Sequence, residues 1–182
     1  MKVLFTSDQH FGHRNIMRFT NRRFPDTAKM DEELIRRHNS VVKPNDVVYM
    51  LGDFTFYRRE EDIAPLISRM NGEWIGLLGN HDEKLENLAG WRFKELHGPH
   101  LEIKIGKRRI VLNHYPLAEW NGSFRGSWHL HGHAHNQWPQ TKYKRLDVGA
   151  DSHDLRPWTL NELDVLMSTR IEQGPEIYNP PA

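Results

Sequence analysis

Four histidines fall within seven residues in the stretch His129-Leu130-His131-Gly132-His133-Ala134-His135. In an extended segment the side-chain period is two, so His131, His133 and His135 would project to one side. Converging imidazoles are costly unless something binds them, and a transition metal is the usual answer. A solvated polyhistidine run is the plainer reading. The internal position of the stretch, between Trp128 and Trp138, argues against it. The chain has 12 histidines and no cysteine, which excludes disulfides and thiolate sites and leaves imidazole and carboxylate as ligands. Absence of cysteine also accords with a reducing compartment.

Such ligands need a scaffold. Residues 2–7 are a short apolar run, read as a buried strand, and they end in Asp8-Gln9-His10. At i and i+2, Asp8 and His10 can both reach one cation there. Residues 11–16 form a turn leading into a short helix or loop through Arg23. Residues 31–42 suit a helix, with Asp31 and Glu32 favoured at its start and Leu34, Ile35, His38, Val41 and Val42 along one face. Residues 47–51 make a second strand, ending in Gly52-Asp53. Residues 60–70 read as a helix stopped by Asn71-Gly72, and 74–78 as a third strand ending in Gly79-Asn80-His81-Asp82. Each apolar strand delivers polar residues where it stops, which is where ligands gather in layered α/β proteins.

The second half is richer in strands. Residues 101–105 and 109–112 flank Gly106-Lys107 as a β-hairpin whose second strand ends in Asn113-His114. A loop rich in Trp, Gly and Arg follows at 117–127, then the histidine stretch, a last strand at 143–149 and a closing helix at 160–172. The expectation is one α/β domain over 1–173 with a loosely attached tail at 174–182. Charged residues are 27% of the chain but the net charge is only +1, so neither a membrane nor an extended nucleic-acid surface is expected as partner. No apolar stretch approaches the roughly 18 residues of a membrane span, and the N-terminal run is too short for a signal peptide. A cytoplasmic protein is expected.

Collected, the strand-end residues are Asp8, His10, Asp53, Asn80, His81, His114, His133 and His135. This inventory suits two cations. Two metals roughly 3.5–4 Å apart can clamp the attacking and leaving oxygens of an in-line displacement at phosphorus. Asp53 is the carboxylate suited to bridge them. A water held at the bridging position becomes acidic enough to supply hydroxide near neutral pH.

The segments Asp8-Gln9-His10, Gly52-Asp53, Gly79-Asn80-His81-Asp82, Asn113-His114 and Gly132-His133-Ala134-His135 resemble, in order, the five motifs of the calcineurin-like metallophosphoesterase superfamily. The Phe-Gly-His after the first motif and the small size are similar to its stand-alone bacterial or phage members. The resemblance implies a two-sheet β-sandwich flanked by helices. It implies that Asp8, His10 and His135 bind a first metal, that Asp53 bridges, and that Asn80, His114 and His133 complete the second. Mn, Fe, Zn or similar divalent ions would serve. His81 would be a general acid near the leaving oxygen, oriented by Asp82. After Gly52-Asp53 the chain continues Phe54-Thr55-Phe56-Tyr57-Arg58, where protein Ser/Thr phosphatases carry a further acidic residue and an arginine. Phosphoprotein specificity is therefore not expected.

His13, Arg14 and Asn15 lie close enough to the first motif to reach a phosphate, or form a solvated turn with an N-cap. His131 reads as a supporting or packing residue, and Asn39 as a supporting or surface polar residue. In the 120–128 loop, Arg125 and the aromatics could hold a phosphate and a base, although packing over the sandwich edge is favoured for the aromatics. Most basic pairs, including Arg22-Arg23, read as solvated, and Asp147, Asp151 and His153 have no assignable role. The favoured activity is hydrolysis of a small phosphorylated substrate, a nucleotide-type phosphodiester. A phosphomonoesterase, a nuclease on short oligonucleotides and a catalytically silent metal-binding scaffold are the alternatives.

Overall fold

Continuous apolar runs let the first strands be buried on both faces. The computed structural model describes residues 1–138 and 141–173, so the expected tail lies outside the described residues. In chain order the elements are β1 (Val3–Thr6), α1 (Ile16–Phe19), α2 (Thr27–Val41), β2 (Val47–Met50), α3 (Glu60–Ile67), β3 (Glu73–Leu77), α4 (Leu85–Ala89), β4 (Phe93–His97), β5 (His100–Ile105), β6 (Arg108–Asn113), β7 (Trp128–His131), β8 (Arg145–Asp147), β9 (Trp158–Thr159) and α5 (Leu160–Ser168). One sheet has the order β4-β3-β2-β1-β9, its first four strands parallel and β9 antiparallel. The other has the order β5-β6-β7-β8, the β5/β6 hairpin antiparallel and the rest parallel.

The pleat sorts side chains into two cores. Leu4, Val48, Met50 and Trp74 face the helices, with Met30, Leu34 and Ile35 of α2 and Ile63 and Ile67 of α3. Phe5, Leu51 and Leu77 face the second sheet and meet Ile110, Leu112, Trp128 and Leu130. This is the expected α/β sandwich with flanking helices. Parallel strands also bring the carboxyl ends of β1, β2 and β3 to one edge.

Several boundaries move. Helix α2 starts at Thr27, not at 31, because the Asp26 side chain caps it by accepting from the Lys29 amide at 2.8 Å. Asp31 is instead buried in the second turn, where it accepts from Tyr57 Oη at 2.6 Å and the Gly12 amide at 3.1 Å. Helix α3 ends at Ile67 and α5 at Ser168; beyond α5, Ile171 bridges Tyr143. Strand β4 was not legible, since only Phe93 of its five residues is buried.

The histidine stretch is the larger correction. Strand β7 ends at His131, and His133 (φ 67°) and His135 (φ 47°) are left-handed. They therefore do not project with His131 by strand alternation. His131 is buried beside His129, with its Nδ1 donating to the Gly132 carbonyl at 2.9 Å, and takes no place among the ligands.

Candidate metal centre

The loops after β1 and β2 are held to one another by main-chain bonds: the Asp8 amide to the Gly52 carbonyl, His10 to Asp53 and Phe11 to Phe54, each 3.0 Å. Within this frame Asp8, His10, Asp53, His133 and His135 all sit at positive φ, from 47° to 67°. Left-handed backbone at non-glycine residues costs on the order of 1–3 kcal/mol each and persists only where surrounding structure over-determines it. The strain has one consequence: all five side chains turn into the same space.

There they form two groups whose ligand atoms lie within 4.8 Å of one another: Asp8, His10 and His135, and Asp53, His114 and His133. Asp53 stands between them, Oδ2 lying 3.5 Å from His10 Nε2 and Oδ1 lying 3.6 Å from His114 Nε2. Asn80 Oδ1 joins the second group, 3.0 Å from His114 Nε2 and 2.9 Å from His133 Nδ1. The seven residues expected as ligands are thus brought together, with Asp53 between two groups.

The electrostatics call for cations. Burial holds the Asp8 carboxyl well above the usual carboxylate range and raises that of Asp53. Burial also lowers His10 strongly and His114 to about 4, so these two imidazoles are neutral and able to act as ligands. His10 Nε2 is buried without a hydrogen-bond partner, a lone pair aimed at the gap between the carboxylates. An all oxygen and imidazole donor set with such an orphaned atom fits divalent transition ions. Two glycines permit the close approach: a Cβ on Gly79 would lie 2.3 Å from Asp53 Oδ1, and one on Gly132 would lie 2.4 Å from Asp8 Oδ2.

Hydrogen bonds behind the ligands select tautomers. His114 Nδ1 donates to the Leu51 carbonyl at 2.8 Å, and His135 Nδ1 donates to Asp151 Oδ2 at 2.8 Å, freeing each Nε2 for a metal. Asp151 in turn receives the buried guanidinium of Arg22. Neither residue was singled out from the sequence. Arg22 looked like half of a solvated pair, and nothing local marks Asp151 as a partner for a histidine of the metal site.

Asp82 corrects another expectation. Its carboxylate does not hold the His81 ring; it accepts from the amides of Asp53 at 2.6 Å, Gly79 at 2.8 Å and Phe54 at 2.9 Å. It positions the loop that carries Asp53 instead. Asp82→Ala is expected to destabilise the protein by on the order of 3 kcal/mol, since it strips a carboxylate from three inward-facing amides. Denaturant unfolding would check this, and a loss below about 1 kcal/mol would show that other groups satisfy the amides.

His81 stands exposed at the rim, its amide donating to Asp53 Oδ1 at 2.9 Å and its ring 4.7 Å from Phe56 and 5.7 Å from His10. His13 stacks on Phe56 at 3.5 Å and reaches His10. Arg14 and Asn15 are exposed, and the Asn15 carbonyl receives the amides of Arg18 and Phe19 as α1 begins. Arg125 lies elsewhere, over Phe124 in an open hollow of about 460 Å³ lined also by Arg109 and Trp120; no ligand lines it. Trp120 and Trp128 are buried, the packing role favoured for them. Asn39 binds the Arg69 carbonyl and the Asn71 amide, tying α2 to the turn after α3 rather than supporting the metal site.

Residues 1–173 match the model of the calcineurin-like phosphoesterase family. The chain belongs to that family. Among its relatives, an uncharacterized protein of Methanocaldococcus jannaschii, MJ1445, is 31% identical over 95% of this chain and 93% of its own. The Gene 66 protein of Mycobacterium phage L5 is 27% identical, over 81% and 86%. A protein of unknown function from Aquifex aeolicus, AQ665, shares the fold with a TM-score of 0.74 and 25% identity, covering 91% of this chain and 98% of that one. Among the described residues of this calcineurin-like phosphoesterase no helix is long and apolar enough to cross a membrane.

Proposed function

We propose that this metal-dependent phosphoesterase uses two divalent ions to hydrolyse a small phosphorylated substrate, with a nucleotide-type phosphodiester favoured over a monoester. One observation carries the reading. The two oxygens of a single buried carboxylate, Asp53, face two separate ligand groups. Bound there, two divalent cations supply Lewis-acid charge to the phosphoryl oxygens and acidify a water for attack.

The protein's own residues do the rest. Asp8, His10, Asp53 and His114 are buried, whereas Asn80, His81 and His133 are exposed, so the cluster opens on one side and the ester enters there. His81 lies at that opening with its backbone fixed on Asp53. It holds the proton delivered to the leaving oxygen, which prevents expulsion of a strongly basic alkoxide. His13, whose pKa is lowered to about 4 by burial and then by the neighbouring His81, lines the same rim without adding positive charge. The rings of Phe56 and of exposed Tyr115, 4.9 Å from His133, support a planar group on the substrate. All expected ligand positions are filled, which argues against a silent scaffold. The net charge of +1 argues against a long nucleic-acid track while leaving short oligonucleotides as substrates. A cytoplasmic location belongs to the same proposal and rests on the cysteine-free composition.

The test is hydrolysis of matched aryl phosphate mono- and diesters by metal-stripped protein, before and after manganese is restored. Turnover is expected only with manganese, and to favour the diester. Turnover that survives complete metal removal would end the metal-dependent reading. No turnover on either ester, with two ions bound, would favour the scaffold.

A further inference from the structure

Behind the first ligand group lies a buried ion pair that the proposed chemistry does not use. The side chains of Arg22 and Asp151 are 1% and 7% exposed. Arg22 Nε and Nη2 donate to the two Asp151 oxygens at 2.7 and 2.8 Å. Its other contacts are Nη2 to the Asp8 carbonyl at 2.7 Å, Nη1 to the Gln9 carbonyl at 2.8 Å, and Nη1 to Met30 Sδ at 3.9 Å. Asp151 Oδ2 also receives His135 Nδ1 at 2.8 Å. One pair therefore holds the main chain at Asp8 and the ring at His135, two residues of the first group that come from distant segments of the sequence.

Both of those ligands have left-handed backbones, φ 58° and 47°, and so need restraint from outside their own loops. The second group uses none of this. Asp53 is held through Asp82, His114 through the Leu51 carbonyl, and the His133 ring lies against Asn80. The groups meet at Asp53, which faces both, and where the His133 amide donates to the Asp8 carboxylate; neither contact involves Asp151.

We propose that Arg22 and Asp151 are positioning residues for the first metal ion alone, so that the two metal sites are supported separately and the first can be lost singly. The assignment rests on the two-ion reading above. A buried ion pair is seldom retained for stability, because apolar residues of similar volume often do as well. Here the guanidinium's four oxygen acceptors dictate geometry at the ligands. Lysine cannot reproduce the guanidinium fork, so Arg22→Lys should behave like a loss.

The experiment is manganese titration of the metal-stripped full chain, with bound metal counted by elemental analysis and pairing read by electron paramagnetic resonance. Wild type, Asp151→Asn and Arg22→Lys are compared, with circular dichroism as the folding control. Wild type is expected to bind two ions giving an exchange-coupled spectrum. Each variant is expected to bind one ion normally, with the six-line signal of isolated manganese, and the other about 10–100-fold more weakly. A paired Arg22→Met/Asp151→Leu variant removes both charges together. It leaves no unmatched buried ion, and it carries the same test should a single variant fail to fold. Two ions bound in the folded variants with wild-type affinities and coupling would overturn the assignment. Loss of both ions together would overturn separate support. Wild type that binds no manganese would overturn the two-ion reading itself, an outcome visible before any variant is made.

Discussion

Asp53→Asn is expected to cut phosphoesterase turnover by about 10³-fold or more and to lower the affinity for both ions. The carboxylate presents one oxygen to each ligand group, and the amide replaces both with a single neutral oxygen and an NH₂ that repels cations. Lewis-acid charge in such centres is worth several kcal/mol to the transition state, and about 4 kcal/mol corresponds to ~10³-fold. Folding should not suffer. The amide oxygen can still accept from the His81 backbone, and burial already raises the carboxyl's pKa, so ionising it in the metal-free protein is unfavourable. The metal-free variant is therefore expected to unfold at the same denaturant concentration as wild type or higher. Elemental analysis showing two ions still bound at wild-type affinity would remove Asp53 from the bridging position.

His81→Ala should separate chemistry from binding. The ring belongs to neither ligand group and lies at the rim, 5.7 Å from that of His10. Both ions should remain bound. Turnover should fall by about 10²–10⁴-fold, the usual contribution of a positioned general acid. The loss should depend on the leaving group. An aryl ester expels a weakly basic phenolate and needs little protonation, whereas an alkyl or nucleoside ester expels a strongly basic alkoxide and needs much. The variant is therefore expected to lose least on nitrophenyl esters and most on alkyl esters. Equal losses on both would reassign His81 to electrostatic stabilisation of the phosphoryl group, and full activity would remove it from the mechanism.

These two variants also mark where sequence reasoning was strong and where it stopped. Asp8, His10, Asp53, Asn80, His114, His133 and His135 were legible because each follows directly on an apolar strand or a glycine turn, a pattern carried by neighbouring residues. Strands β1, β2 and β3 and the β5/β6 hairpin were legible for the same reason, since burial of both faces or a tight turn writes itself into local composition. Strand β4 lies at a sheet edge with one buried residue and leaves no such mark.

The backbone at the histidines was misread. Alternation promised a strand through His135, yet the sheet ends at His131, where β7 pairs with Asp147 as the last residue of β8. Beyond it, left-handed turns at His133 and His135 aim the rings, and period has no meaning there. The resemblance implies Asp82 behind His81, but the folded loop turns its carboxylate onto the amides of Asp53, Phe54 and Gly79. Arg22 and Asp151 are 129 residues apart, and only the packing of α2, the sheet and the turn after β8 brings them together. The sequence by itself determined which side chains are candidate metal ligands, because ligand chemistry is a property of residue type and of local spacing. The tertiary structure alone decided how those ligands are held, because buried hydrogen bonds and ion pairs between distant segments exist only once the two sheets have packed.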